Sequence, residues 1–316
     1  MNARAVLSAT VVSVFLTFAM GASGQDTSPA QAPKLCQLGQ TGSLDLATGG
    51  EGMVFLPGSV EGHSGKFLVD TGGIGLILGF STATQLKNGP QRSFGGISMV
   101  GGVNLTYGVA ARDFNVGTFK ISGAYFIVAP DRTLPSYAIG NIQPHSLWTT
   151  SDIEIDFWKS KLNLFLPNQC PGHVVYWTHD PYAAVPMKPD VEGHIVVQAS
   201  LDGKLIDAII DTGAQKSFLS LRAASHFLDI DESTLGMTSR GKMDINEIVH
   251  AKRYHYPFKS LTFEGISIAN PDIEIDDTGS DSKREPLILG IGVLRQLHLF
   301  VAYDENKLYL TSAEAH

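Results

Sequence analysis

The chain has only two cysteines in 316 residues, and Asp, Glu, Lys and Arg together make up just 17% of it. It has no block of basic residues. Lys and Arg number 23 against 31 Asp and Glu, a formal charge of −8, which argues against nucleic acid or an anionic membrane surface as a partner. There is no His-Glu-x-x-His, and two cysteines alone make a poor metal site, so a zinc hydrolase has little support. The ten His are scattered. The closest pair, His250 and His255, has a spacing that does not share a helical face, and both read as surface residues. There is no Gly-x-Ser-x-Gly elbow, and Gly290-Ile291-Gly292 lacks the third glycine of a dinucleotide turn. Beyond the first 24 residues no stretch approaches the ~20 uninterrupted apolar residues of a membrane span. What remains is 43% hydrophobic with 33 glycines, a globular composition that excludes general disorder. The length fits about two domains of roughly 150 residues, or one large one.

The start of the chain reads as a targeting segment. Arg4 supplies a positive charge, residues 5–20 are apolar and uncharged, and Ala22-Ser23-Gly24 places small residues before a cut at Gln25. Residues 1–24 are therefore expected to be a secretory signal peptide, and an uncleaved N-terminal anchor is the alternative. Residues 25–39 read as a flexible leader. Cleavage would leave an exported protein, periplasmic or secreted, with no membrane anchor. In an oxidising compartment Cys36 and Cys170 are expected to form a disulfide, against two buried free thiols as the other reading.

A repeat organises the rest. Lys66-Phe67-Leu68-Val69-Asp70-Thr71-Gly72-Gly73 lies over Asp207-Ala208-Ile209-Ile210-Asp211-Thr212-Gly213-Ala214 at an offset of 141 residues (211 − 70), without a gap. Upstream, Val60-Glu61-Gly62 falls on Leu201-Asp202-Gly203, an acidic-Gly hairpin turn in both copies. Downstream, residues 83–86 fall on 224–227 as a short helix. An apolar strand stopped by Gly140 matches one stopped by Gly290, and two closing hairpins, 155–164 and 301–310, also correspond. Short apolar or alternating runs between Gly, Pro and Asn predict strands elsewhere, with helical pieces only near 81–86, 221–228 and 292–297. The units span residues 40–168 and 190–316. A Pro- and aromatic-rich connector, 169–189, joins them, and its Tyr176, Trp177 and Tyr182 are expected to pack between the units rather than line a cleft.

An apolar strand running into Asp-Thr-Gly places a carboxylate on a tight turn. Gly72 and Gly213 are expected to allow positive φ and close backbone approach, and the Thr71 and Thr212 hydroxyls can bond across to a facing loop. If the two loops meet, Asp70 and Asp211 come within hydrogen-bond range. Like charges so close cannot both ionise, so the pair holds one proton. Such a dyad can activate a water with its ionised member and protonate a carbonyl oxygen with the other, using no metal, cofactor or covalent intermediate.

On these residues the chain resembles the retropepsin-like aspartic proteases, with two tandem Asp-Thr-Gly units as in bacterial exported members. The resemblance implies an all-β, bilobal fold of two pseudo-symmetric β-barrel lobes with short helices. It also implies an aspartic endopeptidase acting on protein or peptide substrates. Asp70 and Asp211 would be catalytic, Thr71 and Thr212 would brace the loops, and Gly72 and Gly213 would set the turns. A Gly-rich flap in that family follows each aspartate. Gly95, Gly96, Ile97, Ser98 and Met99 fit it in the first unit and residues 236–241 in the second, each beginning 25 residues on (95 − 70 and 236 − 211). Periplasm is preferred over secretion through the resemblance alone. A monomer suffices because both aspartates lie on one chain, whereas two lobes that each paired with another chain would form a dimer.

A third Asp-Thr-Gly, at Asp277, follows Asp276 and precedes a polar run. With no apolar strand feeding it, it reads as a surface turn. Gly73 and Ala214 stand where pepsin-like enzymes carry Ser or Thr. Without that hydroxyl the dyad is expected to titrate higher, extending activity toward mildly acidic or neutral pH. The rival reading is a catalytically silent envelope protein that holds a peptide in the same cleft.

Overall fold

A computed structural model describes residues 36–98, 103–188, 190, 192–245, 249–277 and 286–314. Residues 1–24, expected to be a signal peptide, and most of the expected leader lie outside the described residues, as do Met99 and residues 278–280. The fold is mostly β with four short α-helices and two 3-10 turns among the described residues, consistent with an all-β class.

Two hairpins set the frame. Strands Val54–Val60 and His63–Val69 are joined by Glu61 and Gly62 at φ 45° and 87°. Val196–Leu201 and Lys204–Ile210 are joined by Asp202 and Gly203 at φ 48° and 82°. Paired positive φ marks a type I′ turn, whose twist suits a tight hairpin. The acidic residue also anchors each turn. Glu61 accepts from the Lys87 and Arg112 N–H groups, and Asp202 accepts from those of Lys259 and Ser260.

The second strand of each hairpin runs into Asp-Thr-Gly and is gripped on its other side. His63–Val69 pairs in parallel with Ala138–Ile142, ending Val69 opposite Ile142. Lys204–Ile210 pairs in parallel with Leu287–Leu289, ending Ile210 opposite Leu289. The next strands, Leu76–Gly79 and Ser217–Ser220, return antiparallel to those same partners. This register corrects the sequence alignment. Ile142, not Ile139, is the counterpart of Leu289, so Gly140 lies inside its strand and Gln143 occupies the position equivalent to Gly290. The two glycines serve different contacts. A β-carbon at Gly140 would strike the Ile77 carbonyl and Phe67, and one at Gly290 would meet the Lys216 and Ala214 carbonyls.

The closing hairpins join the halves. Asp152–Asp156 pairs with Lys161–Phe165, Leu297–Ala302 pairs with Lys307–Ser312, and Asp152–Asp156 and Leu297–Ala302 pair antiparallel with each other. Gln40–Asp45 and Ala183–Lys188 flank them, so the connector carries a strand of its own. A continuous apolar core runs from Leu44 and Phe67 through Ile155 and Leu299 to Ile210 and Leu289. Asp152–Asp156 departs from the alternating pattern, being buried at every position. Its Glu154 meets His298 at 2.8 Å and accepts from Asn163 and Tyr176. Trp177 stacks on His298 with ring centroids 4.0 Å apart, and Tyr182 lies against Tyr309, so the connector's aromatics pack on the closing hairpins.

The helix Leu221–Leu228 lies where periodicity places it, capped by Ser220. Phe80–Ala83 and Ile291–Leu294 are shorter than expected, the latter because Leu297 already begins a strand. Pro144–Leu147 had no helical periodicity to betray it and starts on its proline.

Cys36 and Cys170 form a disulfide with Cα atoms 5.7 Å apart and 134 residues between them in sequence. It ties the start of the described chain to the connector. In the chain-entropy picture, opening so long a loop should lower stability by at most about 4–5 kcal/mol. Urea unfolding with and without a reductant measures this, and an unchanged midpoint would show that the constraint is unimportant.

Candidate active site

Asp70 and Asp211 come together. Each leaves the end of its strand with its N–H donating to the facing strand, Asp70 to the Ile142 carbonyl and Asp211 to that of Leu289, both at 2.9 Å. The two carboxyls then hydrogen-bond each other and are only partly covered. The glycines explain how they get so close. A β-carbon at Gly72 would run into the Asp211 carboxyl, and one at Gly213 into that of Asp70. Neither glycine has positive φ among the described residues, so close approach, not left-handed backbone, is what the position demands.

The threonines lock the loops reciprocally. Thr71 Oγ1 donates to the Ile210 carbonyl and Thr212 Oγ1 to that of Val69, each at 2.6 Å. The Thr71 N–H donates to Thr212 Oγ1 at 3.2 Å and the Thr212 N–H to Thr71 Oγ1 at 3.0 Å. Both side chains are buried, so each hydroxyl satisfies one donor and one acceptor of the other half that water cannot reach. Thr71→Val should strand the Thr212 N–H and the Ile210 carbonyl and lower stability by about 3 kcal/mol, read from denaturant unfolding.

The electrostatics follow from burial and proximity. Burial, then repulsion from Asp211, push the Asp70 carboxyl up to about 8, opposed by a hydrogen bond from Asn141. Burial raises Asp211 as well, against N–H donation from Gly213 (2.8 Å) and Ala214 (3.1 Å) to its Oδ1 and the field of His194. The upward direction is the one expected from the missing hydroxyls, but its main cause is desolvation.

Of the residues expected to form a flap, Gly95, Gly96, Ile97 and Ser98 lie on strand Gln91–Ser98, which pairs with Asn104–Val116. Residues 236–241 sit at the base of a second hairpin, Thr238–Ile245 with Val249–His255. Asp277 is exposed, its carboxylate accepting from the Lys252 N–H. One expectation there is corrected: a strand, Ile273–Asp276, does feed it. Its alternating acids hid it, and Glu274 is neutralised by Arg253 at 2.9 Å. His255 is half-buried rather than a surface residue.

Three neighbours of the site escaped the sequence reading. Asn141 Nδ2 donates to Asp70 Oδ2 at 2.6 Å. Its signal was a lone amide within an otherwise apolar strand. Gln143, fully buried, donates from Nε2 to the Glu192 carbonyl at 2.8 Å and accepts from Ser146. His194 stands 3.2 Å from Asp190 and 3.6 Å from Glu192. Those three side chains could converge on a cation, but Asp190 already accepts from the Glu192 and His194 N–H groups, as in a local turn. Two open cavities, of about 760 Å³ beside Leu221–Leu228 and about 510 Å³ beside Phe80 and Tyr107, do not touch the aspartates.

Residues 56–142 match the family model described as aspartyl protease. The match contains Asp70-Thr71-Gly72 and Asn141 and supports a retropepsin-like aspartyl-protease family, which points to a peptidase. No curated protein matches the chain.

Proposed function

We propose that the chain is an aspartic endopeptidase built of two tandem, pseudo-symmetric lobes, one Asp-Thr-Gly from each. The hydrogen-bonded pair Asp70 and Asp211 carries the reading, and the reciprocal threonine bonds and the like pairing of the strands around each aspartate support it. The singly protonated pair holds a water. The ionised member takes its proton as it attacks a peptide carbonyl, while the protonated member donates to the carbonyl oxygen. An extended substrate lies as a strand between the lobes, beneath the hairpin Gln91–Ser98 and Asn104–Val116. One chain supplies the whole site, so the active form is a monomer. The disulfide fits an oxidising compartment and hence export, with residues 1–24 removed.

The test is digestion of unfolded casein between pH 3 and 8, with and without pepstatin. Cleavage that pepstatin blocks is the expected result. Binding of peptides with no cleavage at any pH would favour the silent alternative and overturn this assignment.

A further inference from the structure

Asn141 is polar where the C-terminal half carries Ile288, since Asn141 stands opposite Leu68 in its parallel pairing and Ile288 stands opposite Ile209. It is 5% exposed and has apolar neighbours on both flanking strands, Leu68 and Ile77. Its Nδ2 donates to Asp70 Oδ2 at 2.6 Å, while its Oδ1 has no hydrogen-bond partner among the described residues. A buried amide that leaves its acceptor unused is poor packing for a strand interior, and stability alone would favour an aliphatic side chain. The bond to Asp70 is what the amide supplies.

Residue 73 cannot supply it. A β-carbon at Gly73 would sit 2.5 Å from Asp70 Oδ2, so a hydroxyl-bearing side chain there would displace the carboxyl it should serve. Both aspartates take backbone donors from their own turns, Asp70 from Gly73 and Asp211 from Gly213 and Ala214, but only Asp70 has a side-chain amide from the adjacent strand, where the other half carries Ile288.

We propose that Asn141 is a positioning residue of the dyad: its amide fixes Asp70 Oδ2 from the adjacent strand and favours the ionised pair, making the two aspartates chemically unequal. This rests on the endopeptidase reading above. A donor to one carboxylate keeps the pair singly charged to lower pH than it would otherwise be. The charged groups bearing on the pair are each other and His194, which acts on Asp211.

The test compares wild type with Asn141→Leu and Asn141→Ala, each alone and with His194→Gln, so that titration of the histidine is separated. In both Asn141 variants the acid limb of kcat/KM should move up by about one pH unit, roughly a ten-fold loss below that limb, because a hydrogen bond to a charged group is worth about that much. Carbon-13 titration of the Asp70 and Asp211 carboxyls should show the same upward shift and needs no turnover. A merely structural residue would change the melting temperature and leave both titrations in place, and that result overturns the proposal. If wild type cleaves nothing, the endopeptidase reading fails and the carboxyl titration alone decides the role of Asn141.

Discussion

Asp70→Asn and Asp211→Asn should each reduce kcat/KM for a peptide substrate by at least about a thousand-fold, with the fold retained. One proton serves both carboxyls, so each substitution removes either the base or the acid and leaves the remaining group without its counterpart. Loss of one positioned acid–base group costs typically about 10²–10⁴-fold. Because the two act as a unit, the double variant should be scarcely worse than either single one. Amides match the carboxyls in size and can still donate a hydrogen bond across the pair, so far-ultraviolet circular dichroism should be unchanged. Residual activity above about a tenth of wild type in either variant would remove that aspartate from the mechanism.

The second large effect is on stability. An unfolded Asp titrates near pH 4, whereas burial and Asp211 hold Asp70 up at about 8 in the folded protein. The folded state therefore binds this proton more tightly than the unfolded chain does. The resulting stability is fully present below about pH 4 and is lost as pH rises through about 8. The slope is at most about 1.4 kcal/mol per pH unit for one such group. Asp152, raised to about 6 chiefly by burial, acts with the same sign up to that pH, so the informative quantity is a difference. Asp70→Asn should gain on wild type steadily from pH 4 to pH 8 in urea midpoint. A gap that is constant with pH would mean that Asp70 is ionised throughout.

Much of the site was legible because duplication makes its own control. An offset that holds across Asp70 and Asp211 picks out two strands feeding two turns, and the threonine and glycine roles follow from the turn. Even so, the glycines are needed for the partner's carboxyl and not for their own dihedral angles, a contact that no local pattern encodes. Where the halves diverge, the sequence misled. Gly140 looked like the counterpart of Gly290 because both follow apolar residues, yet strand register puts Gln143 there. The strand before Asp277 was hidden because it alternates acids with apolar residues, and one of those acids, Glu274, is paired by Arg253 from another strand. Nothing in the sequence marks Asp152, Glu154 and Asp156 as buried; their strand is covered because the two closing hairpins pair with each other. Asn141 lay in plain sight as one amide in an apolar strand, but its meaning depends on a 2.6 Å contact across a parallel pair.

The shared proton itself can be seen. Neutron diffraction from deuterated crystals grown near pH 5 should show a single deuteron between the Asp70 and Asp211 carboxyls. A deuteron on each, or none on either, would contradict the account.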